Sequence, residues 1–71
     1  MKRVEVSSSS LRELGYDPDE QALEVVFQNG ALYRYEEVPA EVVQALLEAD
    51  SLGTYFNQVF KAQNYPYRRI E

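Results

Sequence analysis

The most regular alternation of hydrophobic and polar positions lies between residues 23 and 35, where two β-prone runs flank Asn29-Gly30. This arrangement predicts a β-hairpin. A two-residue loop would place Arg34 on the apolar face of the first strand, whereas a three-residue loop with Gly30 in the left-handed conformation keeps that face apolar. We therefore expect the three-residue loop, which aligns Leu23, Val25, Phe27, Tyr33 and Tyr35.

One further strand is predicted before the hairpin, near residues 11–16. The apolar spacing of this stretch alone fits both a helix and a strand. The sequence around Pro18 favours a strand that runs into a turn, because Pro fixes φ and the flanking Asp side chains accept bonds from nearby backbone amides. The four serines at 7–10 fit either a flexible lead-in or the start of a strand, and they mark a boundary.

Two helices are predicted after the hairpin, which ends at Val38-Pro39 because Pro cannot donate to a sheet ladder but fits the first turn of a helix. The first helix spans residues 39–50, with an apolar stripe of Val43, Leu46 and Leu47. Ser51 is the expected N-cap of the second helix. The stripe of that helix has helical spacing and consists of Leu52, Tyr55, Phe56, Val59 and Phe60.

These elements predict an α+β fold. The expected architecture is a small antiparallel β-sheet, made of the hairpin 23–35 and a strand near 11–16, packed against two C-terminal helices. Both helix stripes would face this sheet, so the core should lie between the sheet and the helices.

Length limits the number of domains to one, because 71 residues lie near the lower limit for a core that folds without disulfides or metal. Pro66 ends the second helix, and residues 68–70 form either a last extended segment or a tail. We expect a single domain, 1–71, with flexible ends at 1–8 and 66–71.

The absence of Cys and His excludes a thiol nucleophile, an imidazole base, a disulfide framework and the usual zinc ligand sets. The remaining carboxylates, hydroxyls and cations form no recognisable catalytic set. We therefore expect no enzyme, no catalytic residues, no cofactor and no metal. No apolar stretch approaches the roughly 20 residues of a membrane span, and the start has no signal-peptide core, so we expect a cytoplasmic protein without membrane association.

The net charge of −5 argues against a general binder of nucleic acid or anionic membranes. The charge is unevenly distributed, because residues 1–12 and 51–71 each carry a net +2, whereas residues 13–50 carry −9. If the two ends meet in the fold, a local basic patch forms on an acidic protein. We predict this patch from Lys2, Arg3, Lys61, Arg68 and Arg69.

Six Tyr and three Phe in so short a chain offer stacking platforms for unpaired bases, next to cations that contact phosphates. The candidate nucleic-acid-binding residues are Arg34, Lys61, Tyr65, Tyr67, Arg68 and Arg69. Tyr33 and Tyr35 share the apolar hairpin face, so we expect them in the core. Ser51 and Gly53 fit a phosphate site at a helix start, but a cap and a close helix contact explain them better.

Taken in order, these features resemble the KTSC domain, a family named for its occurrence at the C-terminus of some lysyl-tRNA synthetases and also found as small stand-alone bacterial proteins. The resemblance covers nearly the whole chain. Its elements are Val6-Ser7-Ser8, Leu11, Gly15-Tyr16-Asp17, Leu23-x-Val25-x-Phe27, Asn29-Gly30, Tyr33-x-Tyr35, Val38-Pro39, Ala49-x-Ser51-x-Gly53 and Tyr55-Phe56-Asn57. The central motif of the family falls on Tyr33 and Tyr35, and its helix-start motif on Ser51 and Gly53.

The resemblance implies a non-catalytic binding module, with RNA as the partner suggested by the attachment to a synthetase. It assigns no catalytic residues. Phe60 stands where the family tends to be aliphatic, a change that concerns packing. The alternative function is a protein-interaction module, in which the acidic surface meets a basic protein partner or an exposed sheet edge accepts another chain.

Overall fold

The computed structural model describes residues 3–6 and 8–70. Five antiparallel strands form one sheet in chain order: β1 (Arg3–Glu5), β2 (Leu11–Asp17), β3 (Ala22–Phe27), β4 (Leu32–Tyr35) and β5 (Tyr67–Arg69). The helical elements between β4 and β5 are α1 (Ala40–Glu48) and α2 (Leu52–Tyr55), and α2 continues as a π-helix (Phe56–Phe60) and a 3₁₀ turn (Lys61–Gln63). The predicted α+β fold is confirmed, and the sheet gains a strand at each edge.

The hairpin between β3 and β4 has the predicted three-residue loop. The N–H of Phe27 donates to the carbonyl of Ala31 at 2.9 Å, and Gly30 has a φ of +90°. The antiparallel pairing of β3 with β4 sets Leu23 opposite Tyr35 and Val25 opposite Tyr33, which places these four side chains on one face of the sheet. Side chains on a strand alternate between faces, so this register also sends Arg34 to the opposite face.

The core lies between that sheet face and the helices, as expected. Its largest fully buried side chains are Phe56, Phe60, Leu11, Leu23, Leu46, Val25 and Val38. Two predicted core positions are wrong, because Leu47 is 47% exposed and Val59 is 41% exposed. The stripe of α1 that meets the sheet is narrow, since it buries only Val43 and Leu46 of the nine residues in the helix.

The exposure of Val59 follows from the π-helical turn. The N–H of Lys61 donates to the carbonyl of Phe56, a span of five residues instead of four. A wider turn holds more residues than the roughly 3.6 of an α-helix, so residues four apart stay closer to one face. Phe56 and Phe60 therefore both reach the core, where their rings stack at 4.9 Å, and Val59 leaves it.

The predicted basic patch of the two chain ends does not form. Strands β1 and β5 lie at opposite edges of the sheet with three strands between them, which separates them by about 19 Å. Arg3 therefore lies far from Arg68 and Arg69, and Lys2 is outside the described residues. The segments 1–8 and 66–71, for which the sequence predicts flexible ends, contain these two edge strands. Among the residues described, no helix is long and apolar enough to cross a bilayer.

Candidate functional site

A groove of about 510 Å³ lies at the edge of the core where β4 and β5 meet the end of the helical segment. We call it the tyrosine groove, and its chemically distinctive residues are Tyr33, Tyr35, Lys61, Tyr65, Tyr67 and Arg69. Phe27, Phe60, Asn29 and Asn64 also line the groove.

Strand pairing builds the sheet side of the groove. Strand β5 pairs Tyr67 with Tyr35 and Arg69 with Tyr33, so these four side chains share one face. The ring of Tyr67 lies 5.3 Å from that of Tyr35 and 5.9 Å from that of Tyr33, measured between centroids. These distances lie in the range that favours aromatic pairs, so the three rings form one contiguous aromatic surface.

The end of the helical segment builds the other wall. Phe60 contacts both Tyr35 and Tyr65, with centroid distances of 5.0 Å in each case. Asn64 adopts the left-handed conformation with a φ of 58°, which ends the 3₁₀ turn and redirects the chain toward β5. The aromatic residue at position 60 is therefore a structural support of the groove.

The three tyrosines on the sheet side differ in exposure. Tyr35 is only 6% exposed and Tyr33 is half-buried, whereas Tyr67 is 62% exposed. Burial, with smaller contributions from Tyr67 and Tyr33, raises the pKa of Tyr35 to about 12. Tyr35 therefore forms the floor of the groove as a neutral phenol, and Tyr67 forms its accessible rim.

The charged groups in the described lining of the groove are all positive. Among the described residues, its charged lining consists of Lys61 and Arg69 without a carboxylate, although the chain has 12 acidic residues. The Nζ of Lys61 lies 5.6 Å from the centroid of Phe56, a cation–π distance. This lining is suited to a ligand that combines flat rings with negative charge.

On the opposite face of the sheet, Arg3 and Arg34 contact carboxylates. The register aligns one residue from each strand in a row: Arg3, Gly15, Glu24, Arg34 and Arg68. Glu24 contacts Arg3 at 2.8 Å and Arg34 at 3.7 Å, and the Nε of Arg34 donates to Glu36 at 2.8 Å. The hydrogen bond to Glu36 also raises the pKa of Arg34.

Four of the six nucleic-acid-binding candidates from the sequence thus meet in the tyrosine groove: Lys61, Tyr65, Tyr67 and Arg69. Arg34 and Arg68 lie on the other face, because each alternates with a groove residue along its strand. Tyr33 and Tyr35, expected in the core, contact both the core and the groove. Asn29 and Asn64 also line the groove but were not predicted as site residues, because their only local signal is their turn-forming residue type.

A second concave site, which we call the hydroxyl pocket, has a volume of about 380 Å³ and lies between residues 8–10 and the start of α2. Its polar lining consists of Ser8, Ser9, Ser10, Asp50, Ser51, Thr54 and Asn57. Ser51 stands at the N-cap, but its hydroxyl donates to the Oγ1 of Thr54 at 2.9 Å and makes no capping bond to the backbone. The N-cap position is therefore confirmed, and the side-chain cap is not.

Gly53 allows Ser8 to approach α2 closely. A Cβ at Gly53 would lie 2.9 Å from the Oγ of Ser8. That oxygen accepts the N–H groups of Ser10 at 3.2 Å and Leu11 at 3.3 Å, so it is fixed in place at the start of β2. The residues of the helix-start motif thus serve a close packing contact.

Comparison with known proteins assigns the family. The KTSC domain model matches residues 7–65. The chain belongs to the KTSC domain family. A crystal structure of a KTSC domain protein from Yersinia pestis is 38% identical and superimposes with a TM-score of 0.89, over 99% of this chain and 97% of that one.

Relatives of the KTSC domain occur in two settings. An uncharacterised protein from Stutzerimonas stutzeri (strain A1501) is 73% identical over 71 residues, which is the full length of both chains. A lysine–tRNA ligase from Nostoc sp. (strain PCC 7120 / SAG 25.82 / UTEX 2576) is 36% identical over 62 residues, which cover 87% of this chain but 11% of the ligase. The similarity to the ligase is thus confined to a small part of that enzyme.

Proposed function

We propose that this KTSC domain is a non-catalytic RNA-binding module that acts in the cytoplasm and binds RNA in the tyrosine groove. The observation that carries the proposal is the combination of an exposed tyrosine, a deeper aromatic floor and two cations in a groove whose described lining has no carboxylate. Aromatic rings stack on bases of any identity, and Lys and Arg contact the phosphates beside them.

The relatives give independent support. A segment similar to this chain occurs in lysine–tRNA ligases, which by name act on tRNA. The overall charge of −5 opposes long-range attraction of RNA, so binding must depend on short-range contacts in the groove. We accordingly expect modest affinity that depends strongly on the aromatic residues.

Fluorescence anisotropy tests the proposal with a labelled pool of random-sequence RNA and, separately, with labelled total tRNA. The wild-type chain should bind at least one of them saturably. Tyr67→Ala should weaken binding by about 5- to 150-fold, which corresponds to the roughly 1–3 kcal/mol of one stacked base. Arg68→Ala serves as the control, because Arg68 lies on the opposite face of the same strand.

Absence of saturable binding up to about 1 mM protein, above the usual range of non-specific binding, would overturn the proposal. The alternative function, interaction with a basic protein partner, has its own signature. A pull-down would then recover a partner that persists after nuclease treatment and does not depend on Tyr67.

A further inference from the structure

We infer that the tyrosine groove takes unpaired nucleotides of single-stranded RNA and discriminates against duplex RNA. The inference rests on the proposed function and adds the class of RNA. Its four supports are the accessible ring, the concave shape, the polar groups that meet a base edge and the small number of groove cations.

Tyr67 offers a stacking surface that only an unpaired base can use. Its side chain is 62% exposed and its ring rests against Tyr33 and Tyr35, so it is both accessible and supported from one side. In a duplex the flat faces of the bases are covered by neighbouring base pairs, and only the base edges and the backbone face outward. A base that stacks on Tyr67 must therefore be unpaired.

The shape of the groove leads to the same conclusion. Its volume of about 510 Å³ lies within the usual range for small-ligand sites, and its walls are β4–β5 on one side and Phe60 to Tyr65 on the other. A double helix is a wide convex object that binds across extended surfaces. The groove can enclose a splayed nucleotide but not a base pair that remains stacked in a helix.

The edge of an unpaired base finds polar partners in this groove. The Oδ1 of Asn29 accepts the N–H of Ala31 at 3.0 Å, so its NH₂ group is the end that a ligand can use. The Nδ2 of Asn64 donates to the carbonyl of Ala62 at 3.5 Å, which leaves its Oδ1 as an acceptor. Unpaired bases present donors and acceptors on their Watson–Crick edge that match these groups, whereas pairing occupies that edge in a duplex.

The electrostatics are too weak for a duplex binder. Lys61 and Arg69 are the two cations in the described lining. Recognition of duplex RNA by shape relies on phosphate contacts spread over successive grooves. Two phosphate contacts on a single strand give a slope of log K against log salt of only about −1.4.

The test compares one labelled RNA of about 12 nucleotides, free of self-complementarity, with the same strand annealed to its complement. Binding is followed by anisotropy and by the intrinsic emission of the chain, which comes from tyrosine because there is no Trp. The single strand should bind at least about tenfold more tightly, with a salt slope near −1.4. Tyr67→Ala should abolish the preference, and Tyr67→Phe should retain it, because the ring alone provides the stacking.

Arg69→Ala and Arg68→Ala form a matched pair, since both remove one positive charge from β5 but on opposite faces. Arg69→Ala should reduce the salt slope by about 0.7, and Arg68→Ala should leave it unchanged. Circular dichroism spectra that match the wild type establish that each variant is folded.

Equal or tighter binding of the duplex would overturn the inference and leave the proposed function standing. Binding of neither form would overturn the proposed function itself. A preference for the single strand that survives Tyr67→Ala would also contradict the inference, because the base would then stack elsewhere.

Discussion

The tyrosine groove and the hydroxyl pocket are both concave, but the fold uses their polar groups to different extents. In the hydroxyl pocket the Oγ of Ser8 accepts two backbone N–H groups, and the hydroxyls of Ser51 and Thr54 bond each other. In the tyrosine groove Tyr67 is mostly exposed and Lys61 contacts an aromatic ring without a described carboxylate partner.

The difference teaches that a family motif and a candidate binding site need not coincide. The helix-start motif belongs to the hydroxyl pocket, where Gly53 and Ser8 pack together. The groove combines Tyr33 and Tyr35 of the central motif with residues from the 3₁₀ turn and β5. A pattern of small and hydroxyl residues thus indicates close packing here, whereas an exposed tyrosine beside two cations marks the candidate binding site.

The largest expected effect concerns the floor of the groove. Tyr35→Ala should lower the free energy of unfolding by about 3–5 kcal/mol, because it truncates a buried aromatic residue that contacts Phe56 and Phe60. Chemical denaturation measures the loss, with Tyr67→Ala as the exposed control that should lose far less. Equal losses in both variants would remove the distinction between floor and rim.

The next effect concerns the loop that carries Asn29 to the groove. Gly30→Val should lower stability by about 1–3 kcal/mol, because a β-branched residue is strained at a φ of +90°. A Cβ there meets no atom within 4 Å, so the loss would report backbone strain alone. Gly30→Asn is the control and should lose less, since Asn tolerates the left-handed region. Identical denaturation midpoints for the Val and Asn variants would contradict this explanation.

A smaller effect is expected in the hydroxyl pocket. Gly53→Ala should lower stability by about 1 kcal/mol, since the new methyl group must displace the Oγ of Ser8 from its two backbone bonds. In a Ser8→Ala background the same substitution should be neutral or stabilising, because Ala is the better helix former once the oxygen is gone. Additive losses in the double variant would show that the two residues do not interact.

The smallest expected effect is a loss of folding stability at high pH, caused by ionisation of Tyr35 at the floor of the groove. The pKa of Tyr35 is raised from 10.0 to about 12 in the folded chain, so its contribution to stability is complete below pH 10 and decreases as the pH rises from 10 to 12. Denaturation at pH 9 and pH 10.5 should show a drop that is smaller in Tyr35→Phe. A drop of the same size in that variant would assign the effect to other groups.

The sequence predicted the central hairpin of the sheet and some of the groove residues, because these features depend on interactions between neighbours in the chain. The Asn29-Gly30 turn and the strand period of two fixed the register of β3 and β4, and that register separated Arg34 from the tyrosines. Four of the six candidate binding residues meet in the groove, and the strand period of two places Arg68 on the opposite face from Tyr67 and Arg69. The predicted apolar stripes of the helices were partly right. They were wrong where the buried stripe of α1 is narrower than predicted and where the π-helical turn changes the helical period.

By itself, then, the sequence determined the hairpin, the order of the elements and the residue types available for binding. Only the tertiary structure decided where the edge strands lie, and this placed Arg3 at one edge and Arg69 at the other. It also decided the role of each tyrosine, since Tyr16 donates to the carbonyl of Val38 at 2.5 Å while Tyr67 remains exposed. The physical reason is that turns and periodicity act between neighbours in the chain, whereas the pairing of β5 with β4 joins residues more than thirty positions apart.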